Sequence, residues 1–266
     1  MAVVGGGIAG LTFSLLAARA GREVVVIDRD PPRQGKDVES AWERWDRRSV
    51  PQFRQIHGYQ ALAHAVLRAR LPDVLGLLHQ AGAREATVTG NEELVQFRCR
   101  RSTLESVLRA AVACEPGIDL REGTDVQSVI TSCGSTPRVH GVRTTAGDVV
   151  ANLVVDAAGR RSTAATWCAD AGLPSPEQIS VDTKQVYFTR WFRTRDLAHE
   201  VPYTRVELTF ATLLLYPADA GWLSTTFFAP AGDAGLRNLL LDSERFVAAA
   251  RAIPPVTDLL DPDLVE

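Results

Sequence analysis

The spacing of apolar positions changes along this chain, and each change marks an element. Val3 and Val4 lead into Gly5, Gly7 and Gly10, which reads as a strand and a glycine turn opening a helix; Val24 to Ile27 then form a continuous apolar run, as a buried strand does. Residues 30–52 are polar and arginine-rich, a long excursion in which Trp42 and Trp45 suggest local packing. Across 56–82 the residues Leu62, Val66, Leu67, Leu71, Val74, Leu75 and Leu78 recur at helical spacing, with Pro72 dividing the run in two and Gly82 stopping it. A strand is expected over 93–99, then a helix capped by Ser102 or Thr103 and running to about Cys114, its apolar face made by Leu104, Val107, Leu108 and Val112. Strands follow near 118–122, 125–131, 138–144 and 149–156, with Thr145–Asp148 as a turn and Asn152–Gly159 as a buried strand ending in small residues. The segments 184–193, 203–216 and 222–229 are rich in β-formers, and Val206, Leu208 and Phe210 alternate as in a sheet with one covered face. A helix near 242–252 completes the pattern.

The first of these units carries chemistry. Gly5, Gly7 and Gly10 fill the three positions of G-x-G-x-x-G. Gly5 lets the chain turn off the strand, Gly7 leaves room for a pyrophosphate, and Gly10 lets the helix approach the sheet. Ile8 and Ala9 lie between them, where the first helical amides and the positive end of the helix dipole face an anion. Asp28 ends the second strand 18 residues after Gly10, the place of an acid that accepts from ribose hydroxyls. The alternative is a plain glycine-rich turn that binds nothing. The agreement of strand, turn, helix, second strand and acid favours a dinucleotide site.

Composition narrows the partners. The chain has 266 residues, 45% hydrophobic and 23% charged, with a net charge of −3, so nothing points to nucleic acid. Its cations are almost all Arg; Lys36 and Lys184 are the lysines. No apolar run reaches membrane-spanning length, and no signal-peptide pattern precedes the first strand, which sets the expectation of a cytoplasmic protein. Cys99, Cys114, Cys133 and Cys168 lack CxxC pairing and read as reduced thiols. His57, His64, His79, His140 and His199 are scattered; the spacing of His57 and His64 lets them share a helix face, but no acid or Cys completes a metal set.

The whole length resembles the FAD-dependent monooxygenases of the aromatic-hydroxylase type, similar to p-hydroxybenzoate hydroxylase. The likeness rests on the Gly5–Asp28 unit with Arg29 after it, on RRSVPQ at 47–52 followed by IHGYQALAHAVL, on VVDAAGRRS at 154–162, and on FRCRRSTLESVL at 97–108. It implies an α/β fold: a Rossmann-like FAD-binding domain of the GR2 type, discontinuous over 1–55 and 97–172, with a second, β-sheet substrate domain over 56–96 and 173–266. It implies FAD as bound cofactor, NAD(P)H as transient reductant, and insertion of oxygen into an aromatic or polyketide-like small molecule. Arg48 and Arg101 then become candidates for the diphosphate, and Asp156 and Gly159 for the approach to the flavin. Each has a simpler reading: a solvated arginine, a turn-capping acid, a turn glycine. Tyr187, Trp191, Phe210 and Trp222 are available for the substrate space or for simple core.

The pattern departs from the family in two respects; in one, only two residues precede Val3, so the first strand reads as clipped. A third motif, a Gly-Asp pair after a strand followed by a long helix, is expected beyond this length, so the chain reads as a C-terminally truncated member. Gly232–Asp233, within PAGDAGLRN, reads as a polar loop and not as that motif. Three other readings compete. A nicotinamide-dependent Rossmann enzyme would share only the first motif. A flavin-dependent halogenase would carry W-x-W-x-I-P and an active-site lysine, whereas Trp42 and Trp45 are spaced differently and no Ile-Pro follows. A non-catalytic flavin-binding fragment is the third. Substrate, choice of nicotinamide and oligomeric state are not written in the pattern.

Overall fold

The structure is a computed structural model that describes all residues except 89–90, 133–136 and 198–200. Its strands are β1 Ala2–Val4, β2 Val24–Asp28, β3 Gly58–Tyr59, β4 Arg84–Val88, β5 Asn91–Arg98, β6 Ile118–Glu122, β7 Val126–Thr131, β8 Val139–Thr144, β9 Gly147–Val150, β10 Val154–Asp156, β11 Gln185–Arg193, β12 Thr204–Glu207, β13 Thr212–Pro217 and β14 Trp222–Pro230. Its helices are α1 Ile8–Arg19, α2 Val38–Arg44, α3 Ala61–Arg70, α4 Pro72–Gln80, α5 Arg101–Cys114, α6 Ala164–Asp170, α7 Ala234–Leu241, α8 Ser243–Arg251 and α9 Pro254–Thr257. The chain divides into two units, Met1–Pro51 with Leu104–Ile179 and Gln52–Thr103 with Ser180–Glu266; the sequence places these boundaries after 55, 96 and 172.

The first unit is built on a parallel sheet in the order β10-β1-β2-β6. Its strands are apolar on both faces because both are covered. Val3, Val24 and Val26 turn toward Ala17 of α1, while Ala2, Val4 and Ile27 pack with Val126, Val142 and Trp167. The last three belong to β7, β8 and α6; β7, β8 and β9 form an antiparallel sheet of their own. The apolar stretch expected as one strand over 149–156 is two. β9 pairs antiparallel with β8, and β10 pairs parallel with β1. Continuous hydrophobicity does not reveal which partner each half takes, so the break at 151–153 is decided by the two sheets. The polar excursion contains α2, capped by Asp37, which accepts from Ser40 N at 2.8 Å; Trp42 and Trp45 are buried.

The second unit carries an antiparallel sheet in the order β11-β14-β13-β12 and a smaller one in the order β3-β5-β4. Strand alternation sorts the larger sheet by chemistry. Leu213, Leu215, Leu223, Phe227 and Ala229 face Leu240, Phe246 and Ala250 of α7 and α8 in one core. Their neighbours Leu214, Tyr216, Ser224, Thr226 and Phe228 point the other way. Pro72 ends one helical run and begins the next as the first residue of α4, where its missing N–H costs no hydrogen bond. The expected polar loop around Gly232–Asp233 is the start of a helix: Asp233 accepts from Leu236 N at 2.9 Å and α7 follows. Strand β4 was not foreseen, and Phe210 lies exposed beyond β12, outside the alternation of Val206 and Leu208.

Candidate functional site

In the first unit, parallel pairing of β1 with β10 sets the glycine turn beside the 156–159 turn. Ala157 N donates to Val4 O at 2.8 Å. Gly5 has φ +106°, and a Cβ there would lie 2.6 Å from the Ala157 carbonyl oxygen. A Cβ on Gly10 would lie 1.9 Å from the Gly5 carbonyl oxygen, so only glycine lets α1 seat on the turn. Gly7 is the N-cap of α1. No side chain caps this helix and no acid stands in its first turn, so the amides of Ile8, Ala9 and Gly10 and the positive dipole end stay available to an anion. That donor set fits the diphosphate of a dinucleotide cofactor.

Asp28 sits deeper than its sequence position suggests, 2% exposed. Its carboxylate pairs with Arg47 at 3.0 Å and with Arg109, and accepts from Asp30 N at 3.3 Å. Arg47 reaches Asp30 at 2.9 Å and Glu105 at 2.8 Å; Arg109 also pairs with Glu122. Both guanidinium groups donate to the Gly6 carbonyl, at 3.0 Å and 2.8 Å, and both lie over the Trp45 ring. Burial disfavours the Arg47 cation, but Glu105, Asp28 and Asp30 outweigh it and raise its pKa. Burial raises the Glu122 pKa against the pull of Arg109. A side chain on Gly6 would strike the Asp28 carboxylate at 2.6 Å. The network therefore fixes the glycine turn from beneath.

The remaining expected residues lie as follows. Arg29 pairs loosely with Asp125 at 3.4 Å. Arg48 is 89% exposed and meets Asp46 at 3.1 Å; its neighbour Arg47 is the one turned inward. Asp156, expected buried, is exposed: it accepts from Ser162 Oγ at 2.5 Å and from Ala158 N at 3.0 Å, bracing the turn. Gly159 has φ +71° with nothing near its missing side chain, so it answers a backbone requirement and leaves the surface open. Arg101 belongs to the second unit, 3.2 Å from His57 Nε2. Arg47, Arg109, Asp30, Glu105 and Glu122 went unread. The signal was present in part, since Glu105 and Arg109 are spaced i, i+4 along a helix whose surrounding residues are apolar.

The second unit holds a cavity of about 700 Å³ lined by aromatic and amide side chains, Tyr187, Tyr203, Tyr216, Phe228, Gln55 and Gln96 among them. Tyr187 and Phe228 are direct cross-strand partners in edge contact, with ring centres 4.8 Å apart. Thr189 shares hydrogen bonds with Thr226 and Gln55. His57 lines the cavity with its pKa lowered to about 4, by burial first and then by the Arg101 charge. Its Nδ1 lies 2.9 Å from Gln55 O, which assigns the proton to Nδ1 and leaves Nε2 to accept from Arg101. His57 precedes α3, so it shares no helix face with His64, which pairs with Glu85 at 2.8 Å. Among the expected substrate residues Tyr187 lines this cavity; Trp191 donates to Arg54 O at 2.7 Å, and Trp222 lies under Arg100 and Arg193. Arg100 is fully buried on Asp219, which also accepts from Thr103 at 2.6 Å.

Among the described residues no His, Cys, Asp or Glu cluster could hold a metal, and no helix is long and apolar enough to cross a membrane. Cys99 is buried and Cys114 exposed, and neither is in a disulfide; Cys133 and His199 lie outside the described residues.

A parallel sheet with a glycine turn, an uncapped helix start and a second, mainly antiparallel unit defines a dinucleotide-binding α/β protein. The family model described as FAD binding domain matches residues 1–220, so the chain belongs to that family and FAD is its cofactor. Solved structures agree in fold. PqsL from Pseudomonas aeruginosa in complex with 2-aminobenzoylacetate has a TM-score of 0.71 at 16% identity, over 93% of this chain and 65% of its own. p-Nitrophenol 4-monooxygenase PnpA from Pseudomonas putida DLL-E4 has 0.58 at 18%, over 92% and 61%, and the flavin-dependent brominase Bmp2 has 0.60 at 18%, over 94% and 60%. This chain thus spans under two thirds of the length of these proteins. No curated protein sequence matches it.

Proposed function

We propose that this chain provides the FAD-binding and substrate-binding parts of an NAD(P)H-consuming flavin monooxygenase that hydroxylates or epoxidises an aromatic or polyketide-like small molecule. The observation that carries the reading is the uncapped start of α1 beside the Ala157 carbonyl, held by the buried arginine network. When bound, FAD supplies the redox and oxygen chemistry. The protein's part is to bind and orient. Gly5, Gly7, Ile8, Ala9 and Gly10 offer backbone amides to the diphosphate. Asp28 is the acceptor proposed for the adenosine ribose; Arg29, Arg48 and Arg101 are further candidates for the phosphates. Asp156 and Gly159 shape the neighbouring turn where the flavin would be approached. The cavity of the second unit takes the substrate, and His57 there stays neutral near pH 7, its ring nitrogens engaged by Gln55 O and Arg101. We place the protein in the cytoplasm.

The halogenase reading has a structural neighbour in Bmp2, but the chain lacks the W-x-W-x-I-P pattern. The test is direct. Purified protein should be yellow, and added FAD should raise its Tm by mass action. A colourless protein stabilised by NAD alone would overturn the proposal.

A further inference from the structure

Four carboxylates surround Arg47 and Arg109 in the first unit, and they are not equivalent. The side chains of Asp28, Asp30 and Glu105 are 2%, 5% and 0% exposed, whereas that of Glu122 is 18% exposed. The three buried acids are held from within. Asp28 takes Arg47 and Arg109; Asp30 takes Arg47 and both the N–H and the hydroxyl of Ser49; Glu105 takes Arg47. Among the described residues Glu122 has Arg109 alone as a hydrogen-bond donor, and that bond engages Oε1 and leaves Oε2 for another. Burial raises the Glu122 pKa first of all, and the charge of Asp28 adds to this, against Arg109, Arg47 and Arg33. Its carboxylate is short of donors that a ligand hydroxyl could supply.

The position of Glu122 follows from the sheet. β6 pairs parallel with β2, and the register sets Glu122 directly beside Asp28 at the C-terminal ends of the two strands. Thr124 N donates to Asp28 O at 3.0 Å and Gly123 N to Asp30 O at 2.9 Å, so the two segments stay tied beyond the strands. Open parallel sheets bind their ligands outside these carboxyl ends. Next to β2, β1 carries the glycine turn and the uncapped start of α1, and residues 1–220 match the FAD binding domain family. The adenosine ribose is bonded directly to the diphosphate that the turn receives, so its hydroxyls fall to acids at the neighbouring strand ends.

We infer that Glu122 is a further acceptor for the adenosine ribose hydroxyls of FAD, working beside Asp28, with Arg109 bracing both carboxylates. The inference rests on the reading of the glycine turn as the dinucleotide site and adds to that site a residue from β6. Asp28 is the acid that the glycine spacing points to, but its oxygens are engaged from within and a side chain on Gly6 would strike one of them. Glu122 supplies the acid with an exposed face. Arg109 is a positioning residue: one nitrogen holds Asp28 and the other holds Glu122, which keeps two like charges side by side at the strand ends.

Calorimetric titration of the full chain, freed of FAD, tests this with ADP and with dideoxy-ADP, which lacks both ribose hydroxyls. The parent should bind ADP at least about tenfold tighter, the loss expected when a charge-assisted hydrogen bond is removed. Glu122→Gln should shrink that preference by weakening ADP and leaving dideoxy-ADP unchanged. If Glu122 acted only through Arg109 on the turn, the variant would weaken both nucleotides alike, and the inference would fall. A preference that survives Glu122→Gln at its parental size also overturns it. So does equal binding of the two nucleotides by the parent, a comparison that needs no variant. Inosine diphosphate separates ribose from base: a loss in Glu122→Gln seen with ADP and absent with inosine diphosphate moves the contact to the adenine amino group and overturns the ribose assignment. The site reading is separable. A chain that takes up FAD while Glu122→Gln keeps the parental preference defeats only the inference; one that binds neither FAD nor ADP defeats the reading of the turn, and the inference with it.

Discussion

Two arginine environments divide this molecule. In the first unit Arg47 and Arg109 are surrounded by Asp28, Asp30, Glu105 and Glu122 and hold the Gly6 carbonyl between them. In the second, Arg98 lies among tyrosines, and no acid lines its cavity. The same side chain is ringed by carboxylates in one place and by phenol rings in the other. A saturated buried network serves the fold, because removing any member exposes another to an uncompensated burial cost. A cation over aromatic rings is held by their faces and strands no acid when it is removed. Burial alone therefore does not set what an arginine contributes to the fold; its partners do.

The comparison can be broken most forcefully at Arg47. Arg47→Ala leaves Asp28, Asp30 and Glu105 facing one another in the interior, and should lower unfolding stability by about 3–5 kcal/mol. Urea denaturation measures it; a loss under about 1 kcal/mol would remove the network from the fold's support.

Next in size is the response to acid in the second unit. His57 has a folded pKa of about 4 against an ordinary value of 6.5. The unfolded chain therefore binds its proton first as pH falls. Stability is fully present above about 6.5 and is lost between there and about 4, by roughly 3 kcal/mol at most. His57→Gln should flatten that part of the stability–pH curve; an unchanged slope would show that the ring is not held neutral.

A smaller effect is expected on cofactor affinity. Asp28→Ala should weaken FAD binding by about 1–3 kcal/mol, measured by fluorescence titration at a temperature where the variant stays folded. Gly7→Val should weaken it further. Parent-like affinity in both would reduce the glycine turn and its acid to structural roles.

Smallest is the effect of Arg98→Gln on stability. No acid of the cavity is stranded by the change, so unfolding should move by less than about 1 kcal/mol. A loss as large as that of Arg47→Ala would mean that Arg98 is structural after all, and the contrast between the two environments would collapse.

Much of this was written in the chain. The Val24–Asp28 run, the glycine spacing and the helical repeat around Pro72 are local patterns with one sterically reasonable outcome each, and they give the parallel sheet and the uncapped α1. Which arginine turns inward was not local. Arg47 and Arg48 are adjacent and chemically identical, yet one is buried among carboxylates and the other is 89% exposed. Nor was the burial of Asp28, or the exposure of Asp156, which ends an equally apolar strand. β9 and β10 read as one strand until the fold assigned them to two sheets. Sequence alone determined the glycine turn and the elements around it, because hydrophobic period and glycine sterics act over a few residues. Tertiary structure decided which charges are paired, because the partners of Arg47 and Arg109 come from segments tens of residues apart, and the energy of a buried charge depends on all of them at once.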